Sequence, residues 1–234
     1  MVIADKKVLR RQGDLVVTGR LVDASNATLF ATVTYNGHSM DCIYKPIAGE
    51  RPLWDFADGA LAHREYAAYL ISDHLGFDLV PLTLLRPGPF GEGMVQEWID
   101  IDESIDLAEF FATNNPELRS MALFDAIINN TDRKIGHLLP TSDGRLFGCD
   151  HGVTFHSQDK LRTVLWQWAG VPLSGAEIEL LDRAEVAVAK EIDLRPFLTG
   201  EEISALLIRI QKLLAQKIMP VPSPDWPAVP WPAF

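Results

Sequence analysis

The 234 residues carry 32 acidic and 21 basic side chains, a net charge of −11, with 47% hydrophobic and 23% charged residues. Such a chain can bury a proper core as one domain or two small lobes, and its composition is that of an ordinary globular protein. The acidic balance, without any basic stripe, argues against a nucleic-acid binder and against docking on an anionic membrane surface, and no run of about 18 apolar residues marks a membrane span.

A nucleotide phosphate held by local charges stays compatible with that balance. The opening Met1-Val2-Ile3-Ala4-Asp5-Lys6-Lys7 lacks the apolar stretch of a signal peptide, and Cys42 and Cys149 show no metal-type spacing. The expectation is a cytoplasmic protein with reduced, buried thiols and no membrane insertion.

Leu15 to Leu21 and Thr28 to Tyr35 read as strands joined by the polar tip Asp23-Ala24-Ser25-Asn26. Asn36-Gly37 is a strong hairpin signal and sets Met40 to Lys45 antiparallel to the second strand. Alternation places Ile43 and Lys45 on one face, where an apolar side chain can cover a base while the lysine reaches its phosphates. Ala57 to Leu75 turns helical, with Asp58 as candidate N-cap, Gly76 beyond the C-terminus, and Glu65 close to the apolar stripe of Leu61, Ala68, Ile71 and Leu75. Leu79 to Leu85 and Met94 to Ile99 read as two further strands around a Gly/Pro turn region.

Helices dominate from residue 100. Asn115-Pro116 starts one that runs to about Asn129. Ser174-x-x-Glu177 and Thr199-x-x-Glu202 are capping boxes for two more, the second followed by a long apolar stripe from Ile203 to Ile218. Residues 220–234 hold six of the 15 prolines with Trp226 and Trp231 and should be extended, packed along the surface or free. A β-rich lobe (1–99), an α-rich lobe (100–219) and a Pro/Trp-rich tail (220–234) are the expected units of an α+β fold.

Phosphoryl transfer needs a metal, positive charge on the phosphate oxygens and an oriented nucleophile. Asn130-Thr131-Asp132-Arg133-Lys134-Ile135-Gly136-His137 supplies an acid, a lysine two residues on and a potential metal ligand three residues later. Gly148-Cys149-Asp150-His151-Gly152 adds a second acid in an Asp-x-Gly turn, and Lys45 adds an ammonium from far upstream. Read singly, each has a plainer meaning: a strand-end lysine, a polar helix exit, a common turn. Leu138-Leu139 and Leu146-Phe147 flank Thr141-Ser142-Asp143-Gly144 as a short strand–turn–strand that returns Asp150 beside Asp132.

Strand–Lys, helix–Glu, Asp-x-Lys-x-x-(Asn/His) and Asp-x-Gly, in this order, resemble the protein-kinase-like superfamily. The pattern is most similar to its phosphatidylinositol 3-/4-kinase-like branch and the HipA-type kinases. Tyr44-Lys45-Pro46, the segment from Gly49 to Phe56 and the segment from Asp159 to Trp166 resemble an actinobacterial family labelled phosphatidylinositol kinase-like, over residues from about 13 to 215. The resemblance implies a small two-lobed protein-kinase-like fold with an antiparallel β-rich N-lobe and an α-helical C-lobe.

It further implies ATP and Mg2+ (or Mn2+) as cofactors, with Lys45 paired to Glu65 and holding the α- and β-phosphates. Asp132 becomes the catalytic-loop acid, Lys134 the charge-neutralising lysine, and Asp150 the metal ligand. His137 stands where Asn is usual; imidazole suits transition metals better than magnesium, so one metal, a tilt toward manganese, and a structural histidine are all open. No G-x-G-x-x-G is present, so Ser25, Asn26 and nearby amides are the phosphate-loop candidates. The base should lie against Ile43 and the segment Val95-Gln96-Glu97-Trp98-Ile99, although Trp98 reads equally as core. The acceptor is an unknown small molecule or a dedicated protein. Two rivals are a nucleotide-binding pseudokinase serving as a regulatory module and AMP transfer on the same scaffold.

Overall fold

The computed structural model describes residues 3–21, 27–56 and 60–234. No expectation covers helix α1 (Ile3–Gln12), because its Lys/Arg-rich sequence shows no apolar period. Charge docks it instead: Lys6 Nζ lies 2.6 Å from Glu97 Oε1, and Lys7 Nζ lies 3.1 Å from Asp73 Oδ2.

Strands β1 (Asp14–Arg20), β2 (Leu29–Tyr35) and β3 (His38–Pro46) form the expected meander. Asn36 at φ +50° and Gly37 at φ +77° close the two-residue turn, pairing Tyr35 with His38. Helix α2 (Leu61–Leu75) follows, ending on Gly76 in the left-handed region. Strands β4 (Thr83–Gly88) and β5 (Gly91–Glu97) complete an antiparallel sheet of order β1-β2-β3-β5-β4.

Both later strands sit away from their expected bounds. Leu79 and Val80 give their N–H groups to Ser72 Oγ, and Pro81 has none to give, so the segment before Thr83 is a buried connector. Pro87 fits because β4 lies at the sheet edge, and the turn shrinks to Pro89-Phe90. Alternation packs Ala31, Val33, Cys42, Tyr44 and Val95 into one small core and leaves Lys45 on the opposite face.

The second half holds α3 (Leu107–Phe110), α4 (Pro116–Ile128), the hairpin β6 (Leu138–Pro140) and β7 (Leu146–Gly148), α5 (Gly175–Val186) and α6 (Gly200–Gln216). Asn115 Oδ1 caps α4 by accepting from the Glu117 amide at 2.8 Å, and both expected capping boxes form. Helix α4 is buried nearly all round: Leu118, Met121, Phe124 and Ile127 are fully enclosed. Truncating any of these to alanine should cost about 2–5 kcal/mol. The result is a mixed α+β architecture in which a five-stranded antiparallel sheet precedes a helical lobe. Among the described residues, no helix is long and apolar enough to cross a membrane.

Helix α2 belongs to the larger core. Ala67, Ala68, Ile71 and Leu75 fall in the same buried cluster as residues of α4, α5 and α6, while the helix also lies against β4 and β5 of the sheet. Arg64, almost fully buried, reinforces this by pairing with Glu202 of α6 and donating to the Thr154 carbonyl at 3.2 Å.

Candidate active site

Lys45 leaves the penultimate position of β3 with a side chain 16% exposed. Its ammonium lies 2.8 Å from Glu65 Oε1 and also donates to Asp150 Oδ1. Gly93 allows β5 this close, since a Cβ there would fall 2.4 Å from the Lys45 carbonyl oxygen. The other Glu65 oxygen accepts from the His151 amide at 3.0 Å. One glutamate therefore ties the strand lysine to the Asp-x-Gly turn.

The expected N-cap of α2, Asp58, lies outside the described residues. The cap found is nonlocal: α2 begins at Leu61 behind Ala60, and Glu50 Oε2 and Oε1 accept from the Leu61 and Ala62 amides at 3.1 and 2.8 Å. A carboxylate there meets both the unpaired amides and the positive end of the helix.

Asn129 ends α4 at φ +53°, and the chain turns into the loop that carries Asp132. Asn130 Nδ2 donates to Asp125 at 2.9 Å while its Oδ1 accepts from the Asp132 amide at 3.0 Å. Arg133 is completely buried: its Nε and Nη2 grip Asp125 at 2.9–3.2 Å, and its Nη1 donates to the Cys149 carbonyl at 3.0 Å. The remaining contact is Nη2 to His151 Nε2 at 2.7 Å. Arginine only donates, so that ring nitrogen accepts and the His151 proton sits on Nδ1, 3.9 Å from Glu65 Oε2. Asp125, Arg133 and His151 thus lock the loop to the Asp-x-Gly turn. The sequence carried no signal for this triad beyond a charged pair eight residues apart.

The expected strand–turn–strand forms as β6–β7 around Gly144 at φ +84°, and it delivers Asp150 at φ +57°. Lys45, Glu65, Asp132 and Asp150 line one cavity of about 230 Å³, which Glu50 and Arg51 also border. Lys134 Nζ lies 3.3 Å from Asp132 Oδ2, and His137 Nε2 lies 3.5 Å from Asp150 Oδ2. Of the remaining candidates, Ser25 and Asn26 lie outside the described residues. Ile43, Glu97, Trp98 and Ile99 are absent from the described residues that line this cavity. The Glu97 and Trp98 amides are engaged by Leu82 O and Asp41 O at 2.9 and 3.2 Å, and Trp98 is part-exposed with an edge contact to Phe30 rather than core.

The electrostatics separate two kinds of acid. Lys45, with His137 beside it, holds Asp150 well below the usual carboxylate range. Burial pushes Asp132 up, partly offset by Lys134. Burial opposes the charge on Lys45, but Asp150 and Glu65 outweigh it and keep the ammonium protonated. Burial also lowers His137 to about 4, so it faces Asp150 as a neutral ring and not as a full ion-pair partner.

The donor set can be tested against a divalent cation. Asp150 offers a hard carboxylate oxygen, and magnesium is commonly held by one or two carboxylates plus substrate phosphates. His137 Nδ1 accepts from the Lys134 amide at 3.5 Å, which leaves the proton on Nε2, facing Asp150. Asp150 fits as a ligand; His137 fits only if that proton moves to Nδ1, which would deprive the Lys134 amide of its acceptor.

No family model matches the chain. It is 41% identical to Protein Rv2133c of Mycobacterium tuberculosis, over 98% of this chain and 96% of that protein. Among solved structures, the proinflammatory kinase CtkA of Helicobacter pylori is similar at a TM-score of 0.45 and 14% identity, over 89% of this chain and 94% of that one. At that score the two backbones diverge too far for residue roles to pass from one to the other.

Proposed function

Given that this chain belongs to the family of Protein Rv2133c, a name that specifies no activity, we propose that the cleft transfers the γ-phosphoryl group of ATP to a hydroxyl of an acceptor. One observation carries this reading: an ammonium from β3, a carboxylate from α2 and a carboxylate after β7 meet at Lys45, with Asp132 on the same cavity. Residues 20 to 105 positions apart have no packing reason to converge as charges at an open cleft.

Each side chain then has a task. Lys45, oriented by Glu65, donates to phosphate oxygens of the nucleotide. Asp150 holds a divalent cation, magnesium or manganese, and the cation when bound supplies charge neutralisation on the phosphates. Asp132 orients the acceptor hydroxyl and takes its proton as the oxygen bonds to the γ-phosphorus and the bond to the β–γ bridging oxygen breaks. Burial raises the basicity of Asp132, which suits it to that proton. Lys134 stabilises charge on the transferring group.

The acceptor is soluble rather than lipid in this reading: a net charge of −11 is poorly matched to an anionic phosphoinositide, and the basic helix α1 turns Lys6 and Lys7 toward Glu97 and Asp73 of the protein itself. The likeness to phosphatidylinositol 3-/4-kinase-like and HipA-type proteins is therefore kept for the phosphate-handling residues alone.

The test is ATP turnover with label on the γ- or the α-phosphate, in the wild type and in Asp132→Ala and Asp150→Ala. The expected result is γ-label transfer or slow hydrolysis that both substitutions abolish. Transfer of α-label instead would mean AMP transfer. Nucleotide binding with turnover indifferent to both substitutions would leave the pseudokinase reading, which the Lys45–Asp150 contact favours because the lysine occupies the metal-binding carboxylate.

A further inference from the structure

The end of the proline-rich tail is docked on the segment that follows Asp132 and Lys134. The Ala233 carbonyl accepts the Ile135 amide at 2.9 Å, and a Cβ on Gly136 would lie 3.9 Å from the Phe234 ring. Ile135 opens the one-turn helix Ile135–His137, so its N–H has no partner within that turn, and its side chain is buried. A buried amide without an acceptor is costly, and here the acceptor comes from about a hundred residues downstream. Ala233 itself packs against the main core.

A second grip lies upstream. The Ala228 carbonyl accepts both the Thr163 amide at 3.1 Å and Trp166 Nε1 at 2.9 Å. Thr163 lies in the segment that pairs with the loop: Arg133 donates its amide to Arg162 O at 3.1 Å, and Val164 donates to Arg133 O at 3.2 Å. The tail thus backs the loop directly at Ile135 and indirectly through Thr163.

We propose that residues 226–234 are a positioning element of the loop that carries Asp132 and Lys134, with the Ala233 carbonyl fixing the turn between Lys134 and His137. This rests on the phosphotransfer reading of that loop. Trp226 stacks on Lys160 beside the cavity wall, but among the described residues the contacts of Ala228, Ala233 and Phe234 reach neither Lys45 nor Glu65, so loss of the last two residues bears on turnover rather than nucleotide affinity.

Two variants test it: deletion of Ala233 and Phe234, and full-length Ala233→Asp, which drives a charge into the packed position. Each is read by kcat and KM for ATP and by hydrogen exchange at the Ile135 amide. The expected result is Ile135 exchange faster by at least about tenfold and kcat lower by about tenfold, with KM for ATP within about twofold. Unchanged Ile135 protection in both variants overturns the proposal, as does a parallel shift of kcat, KM and unfolding midpoint, which marks general destabilisation. If the wild type turns over no ATP, the phosphotransfer reading falls by itself, and the exchange measurement still decides the brace.

Discussion

Arg133 carries a full guanidinium charge in a place without solvent, and every nitrogen has a named acceptor in Asp125, Cys149 or His151. Removing one member of such a buried pair strands the other, at about 3–5 kcal/mol. Arg133→Met should therefore cut stability by that amount in urea unfolding, and adding Asp125→Leu should restore part of it. A single variant within about 0.5 kcal/mol of wild type would show the pair to be dispensable. His137 poses a finer question two turns of chain away. If its Nε2–H steadies Asp150 and does not ligate, His137→Ala should weaken Mg2+ and Mn2+ alike, by about tenfold, in metal titrations of turnover. A loss selective for Mn2+ would make the imidazole a ligand after all.

At the scale of elements, the strap from Glu50 to Phe56 decides the shape of the cleft wall. Glu50 caps α2, while Asp55 Oδ2 lies 3.0 Å from Lys160 Nζ, an ammonium sandwiched between the Trp54 and Trp226 rings at 5.0 and 4.7 Å. Lys160→Met should loosen that wall and raise KM for ATP about threefold to tenfold, the value of one or so hydrogen bonds. His156 Nε2 sits 3.3 Å from the same ammonium, with Asp55 and Glu202 as the nearby acids, and burial followed by Lys160 lowers its pKa. A histidine lowered in the fold contributes stability above its unfolded value of about 6.5 and loses it as pH falls below. Acidification from pH 7.5 to 5.5 should thus weaken the strap, by well under about 1 kcal/mol because the ring is partly exposed. His156→Gln should flatten that dependence in unfolding titrations at the two pH values. These contacts mark the border of what a linear reading reaches. Asn36-Gly37, Asn115-Pro116 and both capping boxes were legible because each closes within a few residues. The α2 cap from Glu50, the clamp of Arg133 and the docking of charged α1 were not, since their partners are separated by sequence in ways no period or motif records.

For the whole molecule, the order of a sheet lobe before a helical lobe was legible from the change of period, whereas the core that α2 joins was not. Its helical stripe is compatible with either neighbour, and the helix in fact bridges them: it lies against β4 and β5 while its buried side chains join the cluster of the helical lobe. The consequence is mechanical. Lys45 rides on the sheet, Glu65 on a helix embedded in the other lobe's core, and Asp150 on the β6–β7 hairpin, so a ligand that engages all three must link the lobes. Binding that favours the folded form stabilises it by about 2.7 kcal/mol at a hundredfold excess over Kd, which for this size raises the unfolding midpoint by roughly 5–10 °C. ATP with Mg2+ should produce that shift in calorimetry as one transition, and chelating the metal should remove most of it. In Asp150→Asn the magnesium-dependent part should vanish while ATP alone still binds through Lys45. A midpoint indifferent to ATP and Mg2+, or two transitions of which only the sheet's moves, would mean that the three side chains do not act on one ligand.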